Sequence, residues 1–299
     1  MRNRYGFIFI MIFLTVPDAG LAQIDPDAGL AEKLEAIAEE NAVGYMQPFA
    51  TALGTAINSG IYHTAKVHGL GGFDIGIRVM AVSIPDTGKI YSAFNGFNSV
   101  NVPTVFGNKT SDEPLLPVGG LDIGTLIFAV PQISIGLFMG TELNIRYLPP
   151  IEFDESIGEI TFIGYGLSHN LNQWIPVPLP LAPKLTIGFM FQEFEIGEII
   201  KSSHTALNIR VSKGVPLLSV YAGAQIESSD LDITYQSEIT GSEIVLPTLD
   251  GDNDIRFTGG FRLTLFPFIG INVDYSAGEY NAVNIGLSFS FDPPGIPVI

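Results

Sequence analysis

Four histidines are the side chains in this chain best suited to acid–base or metal chemistry. His63 and His68 are five positions apart, which separates them by about 140° on a helix and places them on opposite faces of a strand. They could therefore chelate one metal only from irregular backbone. The favoured interpretation is that they cap or hydrogen-bond where an N-terminal segment enters the first strand. His169 and His204 lie near predicted strand ends, where a serine–histidine lipase pair remains an alternative.

Three aspartates in "LDGDNDI", Asp250, Asp252 and Asp254, have the one-three-five spacing of a calcium loop. The pattern then departs from such a loop, because Ile255 replaces the required glycine and no glutamate occupies position twelve. A solvated acidic turn is the favoured interpretation. The sequence contains no G-x-S-x-G, H-E-x-x-H, phosphate-binding or dinucleotide motif. We therefore expect no enzyme activity, no metal and no cofactor.

Trp174 precedes the proline-rich stretch "IPVPLPLAP". A tryptophan beside such a connector is typical of the headgroup level of a membrane. An ordinary indole buried in a loop is the alternative.

Composition restricts the class of protein. The chain of 299 residues has a formal net charge of −17 and no cysteine. An acidic exported chain repels phosphate backbones, so nucleic acid is excluded as a partner, and disulfides cannot stabilise the fold. Mean hydropathy is high, at +0.34, yet after the apolar run at residues 6–16 no stretch of the sequence approaches eighteen apolar residues. This combination excludes a helical membrane protein and leaves a closed barrel.

The N-terminus is typical of a secretory signal peptide. Arg2 and Arg4 precede an apolar run over residues 6–16, and Gly20 and Ala22 provide small residues before a cleavage site. The run is too short to cross a bilayer as a helix. We predict a signal peptide over residues 1–22 and an exported mature chain.

Residues 23–60 are predicted to form an N-terminal helical plug. Apolar residues at helical spacing predict a first helix, and a second helix is predicted to start near Pro48, a favoured first-turn residue. Phe49, Leu53 and Ile57 form one apolar stripe on this second helix, while small residues keep the rest of it thin. A slim helix of this kind fits a barrel lumen. Packing on the outside of a soluble sheet is the alternative.

From residue 61 to residue 299 the sequence predicts a β-barrel. Apolar and polar or small residues alternate, most clearly in "QISIGLFMGTELNIRYL", residues 132–148, which predicts one long strand. Residues 85–118 are predicted to be a loop with a short strand near 90–94. Ten or eleven strands are countable, and closed bacterial barrels take even numbers, so we predict ten or twelve. The candidate strands begin at residue 73 and continue at 121–130, 132–148, 157–168, 184–196, 203–213, 217–228, 230–239, 254–266, 268–277 and 282–291.

If the apolar face meets lipid, the alternating polar residues point into the lumen. These lumen-lining candidates are Glu142, Arg146, Asn208, Arg210, Arg256, Arg262, Asn272 and Asp274. Opposite charges in a small lumen indicate either a structural network that closes it or a polar path or ligand site.

Three stretches carry a resemblance to a known family: "YMQPFATALGTAINSGIYHTAKVHGLGGFDIGI" (45–77), "VPTVFG" (102–107) and "GLSHNLNQWIP" (166–176). They resemble an uncharacterised domain family of exported Gram-negative proteins, which implies an outer-membrane-type barrel. The order of helices and barrel is also similar to that of long-chain fatty-acid transporters of the outer membrane. The closing strand, which ends at Phe291, resembles the insertion signal read by the outer-membrane assembly machinery, although the tail 292–299 follows it.

The expected function is passive transport of a small hydrophobic molecule across the outer membrane, with the plug residues lining its path. Outer-membrane lipid and such a ligand are the expected partners. Three alternatives remain: a structural or assembly barrel without transport, a barrel esterase, and a soluble periplasmic lipid-binding barrel.

Overall fold

The computed structural model describes residues 30–35, 37, 39–154, 158–175, 182–215, 217–237, 241–266 and 268–293. The predicted signal peptide and residues 23–29 of the predicted plug lie outside these ranges. Two helices open the described chain, α1 (Leu30–Glu35) and α2 (Glu39–Ile57). The described strands are β1 (Phe73–Ser83), β2 (Ile90–Phe94), β3 (Ser99–Pro103), β4 (Thr125–Gly136), β5 (Thr141–Asp154), β6 (Gly158–Asn170), β7 (Lys184–Ile196), β8 (Ile200–Val215), β9 (Leu218–Gln236), β10 (Glu243–Val245), β11 (Leu249–Asp250), β12 (Ile255–Leu265), β13 (Ile269–Ala277) and β14 (Ala282–Phe291).

Ten of the described strands form a closed antiparallel ring in the order β1, β4, β5, β6, β7, β8, β9, β12, β13, β14. The ring closes where β1 pairs with β14, from Phe73 opposite Phe291 to Val82 opposite Ala282. Closure removes the sheet edges, so the ring strands pair their backbone groups on both sides. The predicted antiparallel barrel with an N-terminal helical plug is confirmed, at ten strands.

Residues 132–148 form a hairpin, so the prediction of one long strand is wrong. β4 ends at Gly136, and Met139 and Gly140 reverse the chain with left-handed φ angles of 57° and 66°. Ile135 then pairs with Leu143. Because an even number of positions separates these two residues, outward positions stay outward on both sides of the turn. The alternation therefore passes through the turn unbroken and conceals it.

Met139 is strained at this turn, since a side chain with a Cβ atom avoids the left-handed region and asparagine tolerates it best. We expect Met139→Asn to raise the free energy of unfolding by about 0.5–1 kcal/mol, part of the usual left-handed penalty. Urea titration in detergent micelles would measure this change. Met139→Val is the matched control and should lower the stability, because β-branched residues fit this conformation least. A stabilising valine would show that the turn is not left-handed.

One further strand boundary differs from prediction, and one short strand is confirmed. Residues 217–228 and 230–239 were predicted as separate strands, but β9 is one strand of 19 residues. Ser228, Ser229 and Asp230 are turn-forming types, yet each pairs with β8 in an unbroken register. Within the predicted loop 85–118, the short strand near residue 90 is confirmed as β2, and it pairs with β3.

The outer surface of the ring is apolar. Each of the ten strands exposes at least one large apolar side chain, such as Ile75, Ile127, Tyr147, Ile163, Phe189, Ile209, Val220, Phe257, Tyr275 and Ile285. A continuous apolar belt of this extent is far larger than the patches on soluble monomers. It matches the lipid-facing band of a membrane barrel.

Helix α2 lies inside the ring, not outside a sheet. Its Leu53 and Ile57 are buried, and it contacts β1, β4 and β9. The prediction that this helix starts near Pro48 is wrong, because α2 begins at Glu39 and contains Pro48. Proline inside a helix costs about 3 kcal/mol, but Tyr45 before it and Ala52 after it are both buried in the same core. That burial offsets the cost. Among the described residues, no helix is long and apolar enough to span a membrane.

The interior of the barrel differs between its two ends. We call the end where β1 begins and β14 ends the turn end, and the end that carries residues 84–124 the loop end. Polar interior residues were predicted throughout, and this is wrong at the loop end. There α2 packs against inward apolar side chains, which include Met80, Val82, Phe128, Phe162, Phe194 and Ile233. Because the apolar stripe of α2 packs against the inner wall here, the strands carry apolar side chains on both their inward and their outward faces at this end.

Candidate functional site

Residues 58–72, which we call the linker, continue from α2 through the lumen to β1. The barrel wall holds the linker by donating to its backbone carbonyls. Gln132 Nε2 donates to Ile61 O at 3.0 Å, Arg210 Nε to Thr64 O at 2.9 Å, and Thr186 Oγ1 to Ala65 O at 2.7 Å. At the turn end Gly71 N donates to Gly136 O at 3.1 Å. These contacts come from several strands, so the linker is fixed from more than one side.

The carboxyl end of α2 is capped by the wall of the barrel. Arg146 donates from Nη1 to Ile57 O at 2.9 Å and from Nη2 to Ser59 O at 3.0 Å. Gln192 Nε2 donates to the same Ile57 carbonyl at 3.1 Å, and Arg256 Nη1 donates to Ser59 Oγ at 2.7 Å. The last carbonyls of a helix lack internal donors and carry partial negative charge. Arg146 satisfies both requirements directly, and Arg256 holds the Ser59 hydroxyl, which itself donates to Thr55 O of the helix.

Arg256 is itself held by Glu227. Its Nη2 and Nε donate to the two carboxylate oxygens at 2.6 and 3.1 Å, and Asn253 Nδ2 donates to the same carboxylate. Both charged side chains are almost completely buried. A buried ion pair with two hydrogen bonds fixes the plane of the guanidinium that binds Ser59.

A second buried network surrounds Asp74. Arg78 Nη2 donates to Oδ1 at 3.0 Å and Arg262 Nη2 donates to Oδ2 at 3.0 Å. His63 lies beside them, with Nδ1 2.7 Å from Arg78 Nη2 and Nε2 3.5 Å from Asp74 Oδ2. Burial lowers the pKa of His63 well below its usual value, and the charges of Arg78 and Arg262 lower it further. A neutral ring accepts from Arg78 through Nδ1, so the linker and β1 share this network.

His68 pairs with Glu142, with Nδ1 at 2.8 Å from Oε2. Burial alone would lower the pKa of His68, but the hydrogen bond and charge of Glu142 outweigh it and raise that pKa. The prediction that both linker histidines form hydrogen bonds where the plug meets the first strand is confirmed.

All eight lumen-lining candidates are buried inside the barrel. Arg146 and Arg256 both donate to Ser59, just after the end of α2. Asn208 accepts from Arg210 at 2.8 Å, Asn272 accepts from Arg78 at 2.8 Å, and Asp274 accepts from Tyr221 at 2.6 Å. The geometry thus matches a structural network, while a role in lining a path stays a prediction.

Sequence reasoning missed Asp74, Arg78, Glu227 and Gln192, which are central to these networks. Asp74 and Arg78 alternate with the outward residues of β1, so their spacing alone places them inward. Glu227 lies within the predicted strand 217–228 beside outward Ile226, so its spacing also places it inward. Gln192 follows the alternation of β7, but a neutral amide gives no signal of its own.

The alternative of a serine–histidine lipase pair at His169 or His204 is not supported by the described chain. His204 Nε2 lies 2.9 Å from Ser202 Oγ, but both residues are buried and His204 Nδ1 has no hydrogen-bond partner among described residues. A serine–histidine pair needs a carboxylate on that nitrogen and access to substrate. His169 stacks on Trp174 with ring centroids 4.8 Å apart. Trp174 is 66% exposed, which excludes the buried indole and favours the membrane interface.

The three predicted acidic-turn residues lie at the loop end, and Asp252 accepts a hydrogen bond from Thr51 of α2 at 3.1 Å. The described residues contain no group of three ligands placed to hold a metal ion. The hydrogen bond from Thr51 to Asp252 therefore joins this acidic turn to the plug.

A cavity of about 670 Å³ opens at the turn end, and we call it the mouth cavity. Linker residues form its inner surface, and its wall and rim include Lys66, Lys184, Lys213, Arg262, Phe268 and Phe291. The lumen is therefore filled by α2 and the linker toward the loop end and open toward the turn end.

A closed ring with an apolar exterior, buried charges inside and a helix in its lumen defines an outer-membrane-type β-barrel. This chain belongs to the family of unknown function DUF6588, whose model matches residues 1–291. No curated protein matches the chain.

Several solved structures match the chain at low identity. The attachment invasion locus protein Ail of Yersinia pestis is 8% identical, over 74% of this chain and 99% of that chain, with a TM-score of 0.28. The outer-membrane protease OmpT of Escherichia coli is 8% identical, over 74% and 97%, with a TM-score of 0.34. The toluene transporter TbuX of Ralstonia pickettii is 8% identical, over 77% and 91%, with a TM-score of 0.27. The assignment of the barrel rests on the strand pairing of this chain itself.

Proposed function

We propose that this chain is an outer-membrane barrel that passes a small hydrophobic molecule when its N-terminal segment moves. One observation supports the proposal above all. The lumen is filled by α2 and the linker, a segment that joins the ring only through β1, and the mouth cavity leads directly to that segment. A segment attached at one end can move without breaking the ring. When α2 moves, the apolar wall around Leu53 and Ile57 would line the path.

The proposed location follows from the belt and the predicted signal peptide. The belt contacts outer-membrane lipid, and the assembly machinery inserts the chain after export. Outer-membrane barrels place long loops outside and short turns in the periplasm. The long insertion 84–124 lies at the loop end, so the mouth cavity faces the periplasm.

A structural barrel without transport is the second candidate. The hydrogen bonds from Arg146, Arg256 and Gln192 to the end of α2 favour it, because they hold the plug firmly in place. The two functions differ in one measurable respect, which is whether the plug has to move.

A reversible disulfide would test whether movement of the plug permits passage. Thr64 Oγ1 and Ser212 Oγ lie 3.3 Å apart, so cysteines at both positions place their sulfurs close enough to bond. The chain has no native cysteine to interfere. We expect uptake of the hydrophobic dye N-phenylnaphthylamine by intact cells to fall, on oxidation of T64C/S212C, to that of cells without the protein. Reduction should restore it.

A second disulfide separates locking of the plug from obstruction of the mouth cavity. Thr51 and Asp252 lie at the loop end, away from the cavity, and T51C/D252C should give the same loss of uptake on oxidation. T64C alone is the control for the oxidant. If dye uptake were equal in cells without the protein, in cells with it, and in cells with the oxidised or the reduced disulfide variants, that result would contradict transport and favour the structural barrel.

A further inference from the structure

The mouth cavity is basic, although the protein is strongly acidic. The whole chain contains 31 acidic residues and 14 lysines and arginines. Among the described residues that line the cavity, four are lysines or arginines, and Asp292 is the single carboxylate. Cations concentrated in a concave surface attract anions far more strongly than scattered cations do.

Two of these cations have no carboxylate partner in the described chain. Lys66 Nζ pairs with Asp292 at 2.5 Å, and Arg262 contacts Asp74. Lys184 and Lys213, on neighbouring strands β7 and β8, have no ion pair among the described residues. Both lysines line the same cavity, so an anion bound there would meet two cations that no carboxylate neutralises.

Arg262 provides an independent indication. It is 8% exposed, and its Nη1 is a buried donor without a hydrogen-bond partner among the described residues. A buried guanidinium donor without an acceptor costs free energy. Arg262 also lines the cavity, so an acceptor bound there lies beside this residue.

The cavity also offers apolar surface beside its cations. Val215, Phe268 and Phe291 line it together with the lysines. A volume of about 670 Å³ lies within the range of small-molecule sites. Inorganic phosphate would leave this apolar surface unused, and a neutral hydrocarbon would leave the cations unused.

We propose that the mouth cavity binds a small amphipathic carboxylate, an organic acid with an apolar body. Lys184, Lys213 and Arg262 contact its carboxylate, and its apolar body lies against Phe268 and Phe291. Binding takes place on the closed barrel and does not need passage. That the same acid is the molecule transported rests on the proposed function.

Binding to purified protein in uncharged detergent tests this proposal. 2-Naphthoate is the probe, and 2-naphthalenemethanol is an uncharged analogue of nearly the same shape. We expect calorimetry to detect binding of the acid and to show much weaker binding of the alcohol. Loss of two charge-assisted hydrogen bonds in K184Q/K213Q should weaken the binding of naphthoate by about tenfold or more.

The matched control is K89Q/K201Q, which removes the same charge at residues outside the cavity. It should leave the affinity for naphthoate unchanged. Equal weakening in both double variants would show attraction by overall charge and would overturn the site, as would equal affinity for acid and alcohol. Nanodiscs of phosphatidylglycerol and of phosphatidylcholine identify a lipid occupant. If phosphatidylglycerol alone abolished the binding of naphthoate, an anionic headgroup would be the occupant and the proposal would be wrong.

The two proposals fail in different ways. Failure of transport would leave naphthoate binding intact on a barrel whose dye uptake does not respond to the plug disulfides. Failure of the carboxylate site would leave dye uptake sensitive to the disulfides while K184Q/K213Q binds naphthoate like the unmodified protein.

Discussion

Asp74→Asn should destabilise the folded barrel by roughly 3–5 kcal/mol, the usual cost of removing one partner of a buried ion pair. Asp74 accepts from both Arg78 and Arg262, and its side chain is 1% exposed. Asparagine keeps the shape but leaves two guanidiniums without a countercharge. Urea unfolding in detergent micelles, followed by heat-modifiable gel migration, would measure the loss.

The matched control for this prediction is Asp86→Asn. Asp86 lies 3.7 Å from Lys89 on the surface, where water screens the pair. We expect no measurable change in the stability of this variant. If Asp74→Asn were equally harmless, water would have to solvate both guanidiniums, and the lumen could not be closed to water.

Leu287→Arg should impair assembly into the membrane by about 2–4 kcal/mol, the cost of arginine on the lipid face near the bilayer midplane. Leu287 lies within β14, points outward and is 56% exposed. An exposed leucine of a soluble protein accepts arginine almost without cost. The measurement is the folded fraction recovered in lipid vesicles at increasing urea concentration.

Ile90→Arg is the control for the belt. Ile90 is 55% exposed, nearly the same exposed fraction as Leu287. It lies, however, on β2 in the hairpin that is separate from the ring. We expect this variant to assemble normally. Equal tolerance of both arginines would show that the belt meets water, and the soluble lipid-binding barrel would then replace the membrane barrel.

The alternation of side chains predicted the barrel because it is a local property of extended backbone. The candidates that it placed inward include Arg146, Arg256 and Glu142, which are buried, while their role in lining a path stays a prediction. It did not locate the turn at Met139, because period two tells which face a residue occupies and not where the strand ends. It also split β9 at Ser229, since turn-forming residue types are tolerated inside a long paired strand.

The start of α2 shows a different limit. Pro48 suggested a first turn, because local preference places proline there. Tertiary burial on both sides of Pro48 overrode this preference. The local signal was genuine, but the lumen that made a longer helix favourable is formed by strands far along the chain.

The sequence by itself determined the class of fold, an N-terminal helical segment and part of the inward face, since composition and spacing act within a few neighbouring residues. The tertiary structure alone decided the partners of those side chains. Arg262 meets Asp74 across 188 positions, and Arg146 meets the end of α2 across nearly ninety. Only closure of the ring brings such residues together. Closure also separates the apolar interior at the loop end from the basic mouth cavity at the turn end. The position of a residue along its strand decides at which of these ends its side chain lies.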